Sequence, residues 1–224
     1  MKYLSAILLL LLVGCGFAPE RGTGDVLAIG DSILAWNRPE GASIPDVVEK
    51  RSGRSVVNGS VPGASFLTNG VSAVIGLSIP RQYRAGDFEA VIVNGGANDL
   101  NSLCGCNRCD TVLDRLVSRD GTSGAYVDLL ARIDVPVIIV GYYGTIRGGG
   151  GGFSGCQDEL LELGIRLTRL ASADPSVRFV RVRDAIDGDP AFYDSDRVHP
   201  SPAGSERIGG LVARALVAID GPAR

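Results

Sequence analysis

Short apolar runs recur along the chain, separated by stretches in which apolar residues have a helical spacing. Each run is apolar at successive positions, which is typical of strands buried on both faces of a parallel sheet. Turn-forming residues follow several of them, as Gly30 and Asp31 follow the first. The predicted strands are 25–29, 54–58, 90–93, 136–140 and 177–180.

The pattern also predicts helices between the strands. In residues 157–171, Leu160, Leu163 and Leu167 fall on one face, as in an amphipathic helix. The predicted helices are 45–51, 71–81, 126–133, 157–171 and 203–219. Because strands and helices alternate, the sequence predicts one α/β domain over residues 25–224, with a parallel sheet and helices on both faces.

Composition limits the partners of such a domain. Hydrophobic residues make up 45% of the chain, which is enough to bury a sizeable core, and the net charge is −3. No basic run occurs, and basic residues do not alternate with aromatic ones. Because such features mark a nucleic-acid-binding surface, no nucleic-acid partner is expected.

The first 14 residues predict export. The basic Lys2 precedes an aliphatic run, residues 7–13, that is too short to span a bilayer, as in a secretory signal peptide. The end of this run, Leu12-Val13-Gly14-Cys15, resembles the bacterial lipobox. The resemblance implies cleavage before Cys15 and lipidation of that residue.

On this interpretation, residues 1–14 are a lipoprotein signal peptide and residues 15–24 are a lipidated tether. The anchor would hold the domain on a membrane of the bacterial cell envelope. Gly16, in place of an aspartate after the cysteine, favours the outer membrane by the same resemblance. The alternative is an ordinary signal peptide with an incidental cysteine.

Candidate chemistry follows the predicted strands, at the edge of the sheet where ligands bind in open α/β folds. Ser32 comes directly after the first strand, and Gly30 is predicted to let the backbone turn sharply there. Gly63 lies in the loop after the second strand, and Asn98 lies after the third. Turn formation is the alternative role for Gly63 and for Asn98.

The only histidine, His199, supplies the base that a serine nucleophile needs. Asp196 lies three residues before it, where its carboxylate could orient the imidazole. Asp194 is a second carboxylate nearby. The backbone N–H groups of Ser32 and Gly63 and the side-chain amide of Asn98 are candidate donors to an oxyanion.

Together these stretches resemble the SGNH (GDSL-type) hydrolase family. The matching blocks are Gly30-Asp31-Ser32, Gly63, Gly96-Ala97-Asn98-Asp99 and Asp196-Arg197-Val198-His199-Pro200. The resemblance implies Ser32 as nucleophile, His199 as base and Asp196 as its orienting group, with Ser32, Gly63 and Asn98 as the oxyanion hole.

The resemblance also implies a flavodoxin-like, three-layer α/β/α fold with a five-stranded parallel sheet, and no metal or cofactor. Ser32 lacks the second glycine of the G-x-S-x-G elbow, which argues against the α/β-hydrolase fold. Trp36 departs from the small polar residues that many members have here. It is expected to be either a wall of the acyl pocket or a core residue.

Four cysteines remain after Cys15, namely Cys104, Cys106, Cys109 and Cys156. In an exported protein they predict two disulfides, and a pairing of Cys104 with Cys106 is disfavoured because the two are so close in sequence. Both remaining arrangements tie Cys156 to the cluster. A four-thiolate zinc site is the rival, although C-x-C-x₂-C is not a standard ligand spacing.

The five glycines at 148–152 predict a mobile loop at the rim of the site rather than a linker, because too little chain follows to form a second core. The expected function is a serine esterase that acts on short acyl or acetyl esters, including esters of carbohydrate. The alternatives are an O-acyltransferase, a lysophospholipase or thioesterase of the same fold, and a non-catalytic envelope lipoprotein.

Overall fold

The computed structural model describes residues 22–186 and 188–219, apart from the side chain of Asp184. Its sheet has five parallel strands in the order β2-β1-β3-β4-β5, which confirms the predicted flavodoxin-like topology. The strands are β1 Val26–Ile29, β2 Val56–Asn58, β3 Ala90–Val93, β4 Val137–Val140 and β5 Val177–Val180. The predicted leader and the predicted lipidation site, Cys15, lie outside the described residues.

Helices cover both faces of the sheet. They are α1 Ser32–Ala35, α2 Ile44–Ser52, α3 Gly70–Ser72, α4 Ile79–Gln82, α5 Ala97–Cys104, α6 Asp110–Leu116, α7 Ala125–Leu130, α8 Gln157–Ala173, α9 Arg183–Ile186 and α10 Pro202–Ile219. The sequence predicted α2, α7, α8 and α10, with α7 too long by three residues at its end. It missed α1, α5, α6 and α9, because each is short and has little apolar periodicity.

The single helix predicted over 71–81 is wrong, because the chain breaks there into three pieces. Between α3 and α4 lies a π-helical turn, Ala73–Leu77, in which Gly76 has a φ of +96°. In this segment, the backbone of Ser65 forms hydrogen bonds that residues of a continuous helix would otherwise form with one another. Its N–H donates to the carbonyl of Leu77 at 2.9 Å, and its carbonyl accepts from Ile79 at 3.0 Å.

Alternate residues of each strand face two separate cores. Leu27 and Ile29 point to the core covered by α5, α6, α7 and α8, and Val26 and Ala28 point to the one covered by α1, α2 and α10. The apolar runs were therefore continuous because both faces of the sheet are buried. Within the described ranges, no helix is long and apolar enough to cross a membrane.

The strand order creates a crevice above β1 and β3. The chain leaves β1 toward β2 on one side and leaves β3 toward β4 on the other. In open α/β sheets, ligands bind at such a switch point, beyond the carboxyl ends of the strands. Ser32 begins α1 just after β1, and Asn98 lies in the first turn of α5 just after β3.

Candidate active site

Ser32, His199 and Asp196 form one hydrogen-bonded line in this crevice. The Oγ of Ser32 lies 2.8 Å from Nε2 of His199. The other ring nitrogen of His199, Nδ1, is hydrogen-bonded to Oδ2 of Asp196. The structure therefore brings together the three residues that the sequence singled out, although Ser32 and His199 are 167 residues apart.

The loop before α10 fixes the geometry of Asp196. Its Oδ1 accepts hydrogen bonds from the backbone N–H groups of Val198 and His199, both at 2.9 Å. Partial burial raises the pKa of Asp196, but the hydrogen bonds from His199 and Val198 outweigh it and hold the pKa below its usual value. The carboxylate is thus ionised at neutral pH and accepts from the imidazole.

Trp36 stacks on the ring of His199, so neither of its expected roles describes it fully. The two ring centroids are 3.7 Å apart and the planes differ by 8°. The indole N–H of Trp36 donates to Oδ2 of Asp194 at 2.6 Å, and this bond lowers the pKa of Asp194. Asp194 therefore positions the tryptophan, whereas Asp196 contacts the imidazole.

Ser32 is held where β1 ends by contacts to the two residues before it. Asp31 caps α1 by accepting from the N–H of Ile33 at 2.9 Å. Gln82 clasps Gly30 from both sides: its Oε1 accepts from the Gly30 N–H at 2.7 Å, and its Nε2 donates to the Gly30 carbonyl at 3.0 Å. Since Ser32 opens the helix, its N–H is one of the donors that have no partner within the helix.

At Gly30 the structure shows a close approach of two backbone segments rather than a left-handed conformation. Its φ is not positive, so the backbone conformation alone does not require glycine. A Cβ at this position would lie 2.7 Å from the backbone carbonyl oxygen of Asn94, which follows β3. The position requires glycine because the exits of β1 and β3 pack too closely for a side chain.

A partly buried tyrosine links the Ser32 segment to the Asn98 segment. The hydroxyl of Tyr142 donates to Asp31 and accepts from the backbone N–H of Ala97 at 3.1 Å. Burial raises the pKa of Asp31, opposed by the hydrogen bonds from Tyr142 and Ile33. Sequence reasoning missed Gln82 and Tyr142 as supports of the site, because neither lies in a motif.

Asn98 and Asp99 together hold the loop that carries Gly63. The amide Nδ2 of Asn98 donates to the carbonyl of Ala64 at 2.9 Å. The carboxylate of Asp99 accepts from the backbone N–H groups of Phe66 and Leu67, at 2.9 and 2.7 Å. Burial raises the pKa of Asp99 to about 6, although these hydrogen bonds oppose the rise.

Gly63 itself has a φ of +79°, so a turn role and a donor role are both open to it.

A small cavity opens beside the Ser32 hydroxyl. Its volume is about 50 Å³, whereas a cavity that holds one water needs about 10–15 Å³. Ser32 and Asn98 border it. The apolar and aromatic part of its lining is Ile33, Ala97, Tyr142, Tyr143, Phe153, Leu160, Tyr193 and Val198. The space suits an acyl group of only a few non-hydrogen atoms.

The opposite rim is built from glycine and cysteine. Gly151 has a φ of +92°, and a Cβ there would lie 2.6 Å from the carbonyl oxygen of Arg197, so the glycine run packs tightly on the loop of His199. The structure pairs Cys106 with Cys156, whose Cα atoms are 4.8 Å apart. It also pairs Cys104 with Cys109, at 5.4 Å. All four cysteines are thus paired at disulfide distance, which favours two disulfides over the alternative of a four-thiolate zinc site.

Comparison with known proteins agrees with this geometry. Residues 28–207 match the GDSL-like lipase/acylhydrolase family. No curated protein sequence matches the chain. Among solved structures, it is similar to Est24, a carbohydrate acetylesterase from Sinorhizobium meliloti. The identity is 17%, the TM-score is 0.59, and the match covers 87% of this chain and 98% of the other.

It is also similar to a member of the lipolytic protein G-D-S-L family from Veillonella parvula. The identity is 15%, the TM-score is 0.61, and the match covers 86% of this chain and 97% of the other. At such identities the structural likeness establishes the fold, and the family match spans most of the sequence. The chain therefore belongs to the GDSL-like lipase/acylhydrolase family and is an ester hydrolase.

Proposed function

We propose that this protein is a serine esterase that hydrolyses short-chain acyl esters, acetyl esters among them, through an acyl-enzyme on Ser32. One observation carries the proposal: the Oγ of Ser32 lies 2.8 Å from Nε2 of His199, whose Nδ1 is held by Asp196. A serine hydroxyl is a weak nucleophile until an adjacent base removes its proton. The ionised carboxylate stabilises the imidazolium that then forms.

The reaction proceeds in two halves. The Oγ of Ser32 attacks the ester carbonyl carbon while its proton passes to Nε2 of His199. The bond between the carbonyl carbon and the alkoxy oxygen then breaks, and His199 gives the proton to the departing alcohol. A water repeats the sequence on the acyl-enzyme, with His199 again as base, and releases the carboxylic acid and the free Ser32 hydroxyl.

The oxyanion of each tetrahedral intermediate needs donors fixed in advance. In this proposal they are the backbone N–H groups of Ser32 and Gly63 and the amide of Asn98. The Nδ2 of Asn98 gives one of its two hydrogens to Ala64, which leaves the second for the oxyanion. Since Asp99 holds the neighbouring residues of the loop, the donors need little reorganisation during the reaction.

The size of the acyl cavity supports short acyl groups. Tyr142 and Leu160 line the cavity of about 50 Å³ beside Ser32, and they also line a second cavity of about 170 Å³. A longer chain would have to pass these two side chains. They therefore form a wall that limits the length of the acyl group.

Hydrolysis of p-nitrophenyl esters from acetyl to octanoyl tests this proposal. We expect kcat/KM to be highest for acetyl or propionyl and to fall with chain length. Leu160→Ala joins the two cavities and should move the optimum to longer chains. Leu161→Ala is the matched control, because Leu161 lines only the second cavity. An octanoyl optimum in the wild type would contradict the short-chain proposal.

The lipid anchor is a separate proposal that rests on the leader sequence alone. Cleavage before Cys15 and acylation of that residue would tether the domain to a membrane of the cell envelope. Metabolic labelling with a fatty-acid probe should mark the wild type and not Cys15→Ser. An unlabelled wild-type protein would indicate an ordinary signal peptide.

A further inference from the structure

The connection between β2 and β3 exposes aliphatic side chains close together. Val71, Val74 and Ile75 have relative exposures of 77%, 73% and 67%. Single exposed apolar residues are normal on protein surfaces, but contiguous ones mark interaction sites. We call these three residues the apolar knob. Residues 67–80 around the knob carry no charged side chain.

The fold itself presents the knob to solvent. Ala73, in the same short segment, is buried, and the backbone bonds between Ser65 and Leu77 and between Ser65 and Ile79 fix the end of the segment. Gly76, with its φ of +96°, breaks the helix next to Ile75. The outward side chains therefore belong to an anchored turn.

The knob adjoins the loop that carries Gly63. A Cβ on Gly63 would lie 4.0 Å from Cδ2 of Leu77, and a Cβ on Gly76 would lie 3.9 Å from a methyl group of Val61. A surface that covered the knob would thus come close to one edge of the crevice.

The sequence on either side of the knob carries only positive charges, although the chain as a whole carries −3. No aspartate or glutamate occurs between Glu49 and Asp87. Arg81 follows the knob, and Arg132 donates to the carbonyl of Pro80 at 2.9 Å. Within the described residues, neither of these two arginines is in an ion pair.

We propose that the apolar knob inserts into an anionic lipid surface, with Arg81 against the headgroups. Aliphatic side chains flanked by arginine suit the boundary between headgroups and acyl chains. A protein partner is less favoured, because the knob has none of the tryptophan, tyrosine or arginine anchors that dominate protein interfaces. The proposal depends neither on the esterase activity nor on lipidation of Cys15.

Tryptophan fluorescence on vesicles with brominated acyl chains tests the insertion. The chain has a single tryptophan, Trp36, which sets the baseline in the full-length wild type. Val74→Trp places a reporter in the knob. Val217→Trp is the matched control, because Val217 is 55% exposed on α10, which packs on the opposite face of the sheet.

On phosphatidylcholine vesicles with about a third phosphatidylglycerol, we expect strong quenching above the baseline for Val74→Trp and none for Val217→Trp. Replacing Arg81 by Gln in the Val74→Trp protein should weaken the apparent vesicle affinity about fivefold. Hydrolysis of a soluble ester should be unchanged in each variant.

Two results would overturn the proposal. The first is quenching of Val74→Trp no greater than that of Val217→Trp on these vesicles. The second is concentration-dependent self-association that Val74→Asp abolishes, since a second copy of the chain would then cover the knob.

Discussion

The two walls of the active-site crevice are built in different ways. On the side of β1 and β3, polar side chains hold the backbone: the buried Asp31 and Asp99 and the partly buried Gln82 all bond to main-chain atoms. On the side of β4 and β5, a run of glycines packs against the loop of Arg197. There the Cys106–Cys156 pair ties the start of α8 to the segment after α5.

In the proposed mechanism the two walls have different roles: the first positions the reacting groups, and the second contacts the acyl group. The first wall carries Ser32 and Asn98, whose positions must be accurate, and a buried hydrogen bond to a carboxylate is both short and costly to break. The second wall carries Phe153 and Leu160, which border the acyl cavity. The Cys106–Cys156 pair and the close packing of the glycine run hold that wall in place.

The largest effect is expected from replacing His199, the proposed base, which contacts Ser32 of the first wall. His199→Ala should lower kcat/KM for p-nitrophenyl acetate by at least about a thousandfold, because nucleophile and base act as one unit. The far-ultraviolet circular dichroism should not change, since His199 lies at the surface of the crevice. Activity within tenfold of the wild type would remove His199 from the mechanism.

The second wall can be loosened alone by removing the Cys106–Cys156 pair. Replacement of both by alanine should lower the free energy of unfolding by up to about 4 kcal/mol, because this pair closes a long loop. It should also raise KM more than it lowers kcat. Denaturant titration and steady-state kinetics measure the two effects.

Removal of the Cys104–Cys109 pair by alanine substitution is the matched control. Its sequence separation is 5 residues, against 50 for the other pair, so the expected loss is about 2 kcal/mol at most. Each pair has one buried member, Cys109 or Cys156. An equal rise in KM for both variants would show that the Cys106–Cys156 pair has no specific role in positioning the start of α8.

The first wall can be probed through the pKa of Asp99, about 6 against an ordinary value of 3.8. Between these two values the folded chain keeps a proton that the unfolded chain has released, so the free energy of unfolding falls as pH rises. The fall due to Asp99 amounts to about 3 kcal/mol. Above pH 6 both states are ionised and the difference stays constant.

Asp99→Asn should remove this fall, because asparagine does not titrate. Urea titrations at pH 4, 5, 6 and 7 measure it as the difference between wild type and variant, in which the contributions of carboxyls that do not interact with Asp99 cancel. Parallel stability profiles for the two proteins would mean that Asp99 does not keep its proton on folding.

The smallest expected effect concerns the stacking of Trp36 on His199, the proposed base. Trp36→Phe keeps a ring on His199 but loses the hydrogen bond to Asp194, so we expect a loss in kcat/KM of less than tenfold and about 1 kcal/mol of stability. Trp36→Ala removes the stack as well and should cost more activity than Trp36→Phe. Equal activity of Trp36→Ala and wild type would show that the stack does not position His199.

The sequence predicted the sheet well because a strand buried on both faces leaves a continuous apolar run. It failed over 71–81, where the backbone pairs with Ser65 and Gly76 breaks the helix. Helices α5 and α6 escaped prediction because they are short and flank a cysteine cluster with little periodicity. Helix α8, by contrast, was predicted because its buried leucines recur in the sequence at helical spacing.

Only part of the candidate site could be predicted from the sequence. Ser32, Asp196 and His199 stand in motifs, and the structure places them in contact. Gln82 and Tyr142 support Gly30 and Asp31 across 52 and 111 residues of chain, so no local pattern could point to them. The cysteine spacing left two pairings open, because the choice depends on how α5, α6 and α8 pack.

Covalent trapping tests the central claim most directly, since the claim is that Ser32 alone forms the acyl-enzyme. The wild-type protein is treated with a fluorophosphonate, digested and mapped by mass spectrometry, with His199→Ala as the control. We predict one adduct per chain, on Ser32, and strongly slowed labelling in His199→Ala. An adduct on another residue, or complete loss of esterase activity with Ser32 unmodified, would contradict the account.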